Sequence, residues 1–144
     1  MGIRFTRYEP LYLPIYKGWD ERLTSDTKKR FATGYGYADW LNQNIDGECV
    51  RIAATRLAMR REQRKVLLVL SDGAPACHSP FPHEIMRDLK NAVKEVTDAR
   101  IETIGIGILD DNVKRYYPKH IILNELDELP KTVMGELKNI LMAA

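Results

Sequence analysis

The chain reads as a polar, broken first third followed by a regular alternation of apolar strands and amphipathic helices. The clearest feature is Val66-Leu67-Leu68-Val69-Leu70, five apolar residues ending at Ser71-Asp72-Gly73. A short, uniformly apolar strand suits a parallel sheet covered on both faces. Ile101–Ile108 predicts a second buried strand and His120–Leu123 a third, shorter one. Helices are predicted over His83–Ala99, where Ile85, Leu89, Ala92, Val93 and Val96 share one side, and over Leu126–Met142, with a short helical turn around Asp110–Tyr116. Upstream, Val50, Ala53, Ala54, Leu57 and Ala58 recur at helical spacing, which predicts a helix over Gly47–Arg61 with Asp46 as its N-cap. A helical pattern also runs from Trp19 to about Gln43, interrupted by Gly34 and Gly36. Residues 1–18 are proline-broken, and Ile3, Phe5, Leu11, Leu13 and Ile15 fit short extended segments. Strand, helix, strand, helix, strand, helix is the signature of an α/β fold: an open, Rossmann-like parallel sheet with helices on both faces.

Composition narrows the function classes. The 144 residues are 44% hydrophobic and 29% charged, ordinary for one globular domain. A net charge of +2 selects no polyanionic partner, so nucleic acid is not expected. The runs Lys28-Lys29-Arg30 and Arg60-Arg61 with Arg64-Lys65 are expected to be solvated helix faces. Cys49 and Cys77 make no disulfide framework, and no apolar run approaches the roughly 20 residues that cross a bilayer. A cytoplasmic protein is expected.

Ligands of open α/β sheets bind at the carboxyl ends of strands. Three segments belong to that edge: Ser71-Asp72-Gly73, Gly105-Ile106-Gly107 with Asp110-Asp111, and Asn44-Ile45-Asp46-Gly47-Glu48. An aspartate ending a buried strand is either a turn cap or a hard-cation ligand. Cys77, His78 and His83 are too few for a zinc site. Gly105 and Gly107 lack the third glycine of a dinucleotide loop, and there is no Walker A motif.

The segments NIDGE (Asn44–Glu48), REQRKVLLVLSDGAP (Arg61–Pro75) and IGIGI followed by VKRYYP (Val113–Pro118) resemble, in order and spacing, the von Willebrand factor type A domain of the CobT subunit of cobaltochelatase. The resemblance implies a fold and a role. Such domains carry a metal-ion-dependent adhesion site, and here Asp72 matches the aspartate after the fourth strand. Asp46 or Glu48, with Ser71 nearby, would complete a site for Mg²⁺ or another divalent cation. Gly73, Asp110, Asp111, Tyr116 and Tyr117 then stand where a partner would dock, although Tyr116-Tyr117-Pro118 read by itself is packing plus a turn. The implied partners are an AAA+ ATPase subunit and the other chelatase subunits, which together insert cobalt in cobalamin synthesis. The module itself is expected to be non-catalytic. An alternative from the same resemblance is reuse in another AAA+ ATPase-associated or phage assembly.

One departure matters. The family's Asp-x-Ser-x-Ser loop has no counterpart in the sequence, and Met1–Gly18 aligns with the connection after the first strand-helix-strand unit. The expectation is therefore a single type A-like domain over residues 1–144, incomplete at its N-terminus, binding its cation weakly unless that loop is supplied. The apolar edge of Val66–Leu70 would be left open to self-association.

Overall fold

The computed structural model describes residues 11–34, 43–77 and 81–142. In chain order these form α1 (Ser25–Gly34), α2 (Asp46–Ala58), β1 (Val66–Ser71), α3 (Pro82–Asp98), β2 (Glu102–Ile108), β3 (Lys119–Leu123) and α4 (Leu129–Met142). Two 3₁₀ turns, Asn112–Arg115 and Leu126–Glu128, precede β3 and α4 respectively. The strands make one parallel sheet in the order β1-β2-β3. Val66 lies opposite Glu102 and Ser71 opposite Gly107; Ile104 lies opposite Lys119 and Ile108 opposite Leu123.

Side chains alternate across a strand, so this register sorts the apolar residues onto two faces. Leu67, Val69 and Ile122 turn toward α2 and α3, where they meet Val50, Ala54 and Leu57 of α2 and Leu89, Ala92, Val93 and Val96 of α3. Ile104, Ile106 and Leu123 point the other way and are also fully buried. This two-sided burial explains why β2 reads as a continuous apolar run, whereas β1, at the sheet edge, is only partly buried.

Helices α2 and α3 are tied by charge as well as packing. Arg51 donates Nε and Nη2 to the Glu95 carboxylate at 2.7 and 3.2 Å and Nη1 to Asp88 at 2.9 Å. Asp88 is buried, so this ion pair compensates a carboxylate removed from water. The helices approach so closely at Gly47 that a Cβ there would sit 2.2 Å from Asp88 Oδ2.

Element ends differ from the sequence pattern for local reasons. Helix α1 begins at Ser25 rather than Trp19, because Thr24 and Thr27 form a reciprocal cap. The Thr27 amide donates to Thr24 Oγ1 and the Thr24 amide to Thr27 Oγ1, both at 3.3 Å. Residues 35–42, which the pattern placed in the same helix, lie outside the described residues, as do Ile3 and Phe5. Leu11, Leu13 and Ile15 join no strand among the described residues. Asp46 is not the N-cap of α2; Ile45 is, and Asp46 is the first helical residue. Helix α3 starts on Pro82, whose missing N–H is not needed there. It ends with Arg100 at φ 62°, Arg100 N–H bonding the Thr97 carbonyl and Ile101 N–H the Val96 carbonyl. That is a Schellman end without glycine.

The basic runs fall on solvated surfaces beside acids. Arg30 pairs with Glu21 at 2.8 Å, Arg60 with Glu62 at 3.0 Å and Arg64 with Glu102 at 3.4 Å. No described helix is long and apolar enough to cross a membrane. Strand β1 lies at the sheet edge, and Leu70 near its end is 50% exposed. The open apolar edge expected from the sequence is therefore present among the described residues.

Candidate functional site

The site is assembled by one short piece of backbone pairing. Asn44 and Ala76 form an isolated antiparallel bridge, with the Asn44 amide 2.6 Å from the Ala76 carbonyl and the Ala76 amide 3.1 Å from the Asn44 carbonyl. This clips the segment entering α2 to the loop leaving β1, at the carboxyl end of the strand. Asp46 and Asp72 come together as a result. The Ser71–Ala76 loop is shaped by its own serine: Ser71 Oγ donates to the Gly73 carbonyl at 2.8 Å and accepts from the Gly73 amide at 3.4 Å. Pro75 is buried beneath it, and Asp72 is exposed at its tip. Gly73 does not have a positive φ, and a Cβ there would meet nothing within 4 Å, so this turn does not depend on glycine.

Asp46 is the most perturbed acid of the site. Burial is the main cause, and the negative charge of Asp72 adds to it; together they push its carboxyl up to about 6. The N-terminal position on α2 favours a carboxylate, but in this setting burial prevails. Glu48 does not join the pair. Two residues further along a helix it leaves the opposite side, and among the described residues no group of three or more His, Cys, Asp or Glu side chains converges. Of the two candidates in NIDGE, the fold thus brings Asp46 to Asp72. His78 of the Cys77-His78-His83 group lies outside the described residues.

Tyr116 and Tyr117 are not surface residues. They are 7% and 2% exposed and belong to the core formed with α2 and α3. Both hydroxyls are buried without a hydrogen-bond partner among the described residues. Burial raises both phenols above their usual range, and the nearby Asp46 charge raises them further. The two tyrosines therefore line the inner side of the acidic site and are not the surface positions expected of docking residues.

The two glycines of β2 serve this wall. A Cβ on Gly105 would lie 2.5 Å from the Tyr117 ring, and one on Gly107 would lie 2.2 Å from the Asp110 carbonyl oxygen. Gly105 lets the ring lie against the sheet; Gly107 lets the next turn cross the strand end. The IGIGI pattern is a packing requirement, and a phosphate-binding loop is not needed to explain it. Past β2, Leu109 adopts φ 56°, and Asp110 accepts from the Asn112 amide at 2.7 Å and its Nδ2 at 3.0 Å. Asp111 is exposed and pairs with Lys114 at 3.2 Å. Asp110 is thus committed to a local turn, while Asp111 stands on the surface.

The motif order foretold which loops would meet but not the support beneath them. Gly47, Asp88 and Arg51 fix the angle at which α2 presents Asp46, and only a glycine placed directly after a helix-initiating aspartate hinted at such a close approach.

No solved structure matches the chain. A family model described as the cobalamin biosynthesis protein CobT VWA domain matches residues 2–143. With nearly the whole chain matched and a parallel α/β sheet in place, the chain belongs to the von Willebrand factor A domain family of the cobalamin biosynthesis protein CobT.

Proposed function

We propose that this chain is a non-catalytic docking module of a cobaltochelatase-like assembly in the cytoplasm, engaging an AAA+ ATPase subunit and other chelatase subunits through a divalent cation at Asp72 and Asp46. The observation that carries the reading is the Asn44–Ala76 bridge, which joins the NIDGE and SDGAP segments and sets an exposed carboxylate beside a partly buried one. Membership of the CobT family supports the link to cobalamin biosynthesis.

The donor set suits a hydrated hard cation. Mg²⁺ takes oxygen ligands, keeps several waters and is often held by one or two carboxylates. Asp72 and Asp46 are such a pair, and a cation held by them would offset the burial and the repulsion that raise the Asp46 carboxyl. The bound ion would supply an electrophilic coordination position for a partner carboxylate. Asp72, at the loop tip, is the residue a partner reaches. Asp46 would contribute the second negative charge, and the buried Tyr117 and Tyr116 would limit water on its inner side. Two carboxylates alone give a weak site, so affinity rests on further oxygen ligands from the partner or from a serine-bearing loop.

Isothermal titration of the chain with MgCl₂, followed by binding to the AAA+ subunit with and without EDTA, tests this. Asp72→Ala is expected to weaken Mg²⁺ binding at least ten-fold and to abolish cation-dependent capture of the ATPase, with an unchanged melting curve. Equal Mg²⁺ binding by the variant, or capture insensitive to EDTA, would remove the cation from the reading.

A further inference from the structure

The ends of β2 and β3 present two leucines that the fold itself does not use. Leu109, directly after β2, is 64% exposed, and Leu126, on the turn after β3, is 58% exposed. Leu109 also adopts φ 56°, a left-handed conformation that a bulky side chain disfavours and that glycine or asparagine takes at little cost. An exposed apolar side chain on a strained backbone does nothing for folding, and such departures from local rules gather where a partner binds.

The strained turn is fastened on both sides. The Leu109 amide donates to the Leu123 carbonyl at 2.9 Å, which ties the turn to the end of β3. Asp110 accepts from the Asn112 amide at 2.7 Å, and the turn crosses so close over Gly107 that a Cβ there would meet the Asp110 carbonyl oxygen. Leu109 is thus held in place before any partner arrives, which lowers the ordering cost of binding. Both leucines are set among acids. Asp110 and Asp111 follow Leu109; Glu125 precedes Leu126, and Asp127 and Glu128 follow it, with no lysine or arginine in either segment. Lys114 pairs with Asp111 at 3.2 Å, whereas Glu125, Asp127 and Glu128 have no cationic partner among the described residues. Neighbouring strands stand about 5 Å apart, so Asp72, Leu109 and Leu126 follow one another along the carboxyl edge in the order β1-β2-β3. Leu126 belongs to the end of the sheet far from the outer edge of β1, and a strand added at β1 would not cover it.

We propose that the carboxyl ends of β2 and β3 form an apolar docking surface that takes a segment of a partner protein in which an apolar side chain is flanked by lysine or arginine. Leu109 and Leu126 supply the apolar contact, removed from water when the partner seats. The acids around them select basic flanks and speed the encounter. The same charges repel acidic peptides and nucleic acid. The inference rests on the reading of this chain as a docking module and adds the chemistry of its partner; it does not require the cation.

The probe is a phage-displayed library of random peptides, selected in EDTA on the immobilised full chain after depletion on the Leu109→Asn variant. The peptides recovered are expected to carry leucine, isoleucine or phenylalanine flanked by lysine or arginine, and to lose affinity as salt rises. They are expected to bind wild type at least ten-fold tighter than Leu109→Asn and at least three-fold tighter than Leu126→Ser. Leu109→Asn is expected to melt at the wild-type temperature or above it, because asparagine tolerates the left-handed backbone. A lower melting temperature would show that Leu109 packs within the fold and would overturn the proposal. So would a selection that recovers nothing above the variant, peptides without basic residues, or a dimer that Leu109→Asn dissociates, which would assign the surface to a second copy. Failure of the Mg²⁺ titration with these peptides still bound would remove the cation and leave this surface standing; Mg²⁺ binding without them would remove the surface alone.

Discussion

Asp46→Asn separates the electrostatics of the site from its shape. Asparagine keeps the volume and the position at the start of α2 but cannot carry the charge that burial and Asp72 oppose. In the unfolded chain Asp46 titrates near 3.8; in the fold its carboxyl is pushed up to about 6. Between those values the native state holds more protons than the unfolded one, so the contribution of this group to stability falls as pH rises through the interval. Above pH 6 the full penalty of a buried, repelled carboxylate is present, and the gap from 3.8 to about 6 corresponds to about 3 kcal/mol. The asparagine variant escapes it and leaves Asp72 without a like-charged neighbour. Urea unfolding in EDTA at pH 8, followed by circular dichroism, is expected to show the variant more stable by about 1–3 kcal/mol with an unchanged slope. At pH 4 the difference is expected to vanish, because Asp46 is then protonated in the folded wild type. A variant less stable than wild type at pH 8, or a difference that does not change between pH 4 and pH 8, would refute the account of a strained buried carboxylate.

Other substitutions examine the frame that presents the site. Gly47→Ala places a methyl against Asp88 and is expected to cost about 1–3 kcal/mol in thermal or urea unfolding; no loss would mean α2 and α3 can part without consequence. Arg51→Ala leaves the buried Asp88 carboxylate uncompensated and is expected to cost about 3–5 kcal/mol, most of it recovered when Asp88 is changed to asparagine as well, a double-mutant comparison by urea unfolding. Tyr117→Phe removes a buried hydroxyl without a hydrogen-bond partner among the described residues and is expected to raise stability by about 1 kcal/mol at pH 7, read as a shift in melting temperature. A lower melting temperature in that variant would show that the hydroxyl is satisfied in solution.

Much of the fold was determined by local pattern. Val66–Leu70 and IETIGIGI are too apolar and too short for solvent-facing helices, and the spacing of Ile85, Leu89, Ala92, Val93 and Val96 admits one helical face. The observed β1, α3, β2 and β3 depart from those readings by a residue or so at each end; for α3, Pro82 at its start and the left-handed Arg100 beyond its end decide the boundaries. The loop chemistry was legible too, since Asp72 after a buried strand and NIDGE before a helix are compact motifs tied to strand and helix ends.

What sequence could not settle was which side chains those motifs would share. Asp46 and Glu48 are equally acidic and only two residues apart, yet the turn of α2 sends them to different sides, and the Asn44–Ala76 bridge selects Asp46. Tyr116 and Tyr117 sit in a polar, surface-like stretch, but the glycines of β2 leave a space that draws the Tyr117 ring into the core. Local pattern fixes hydrogen bonding and periodicity, which depend on neighbours along the chain. Burial, and with it the charge state of Asp46, depends on pairs such as Gly47 with Asp88 and Gly105 with Tyr117, brought together only when helices and sheet close on one another.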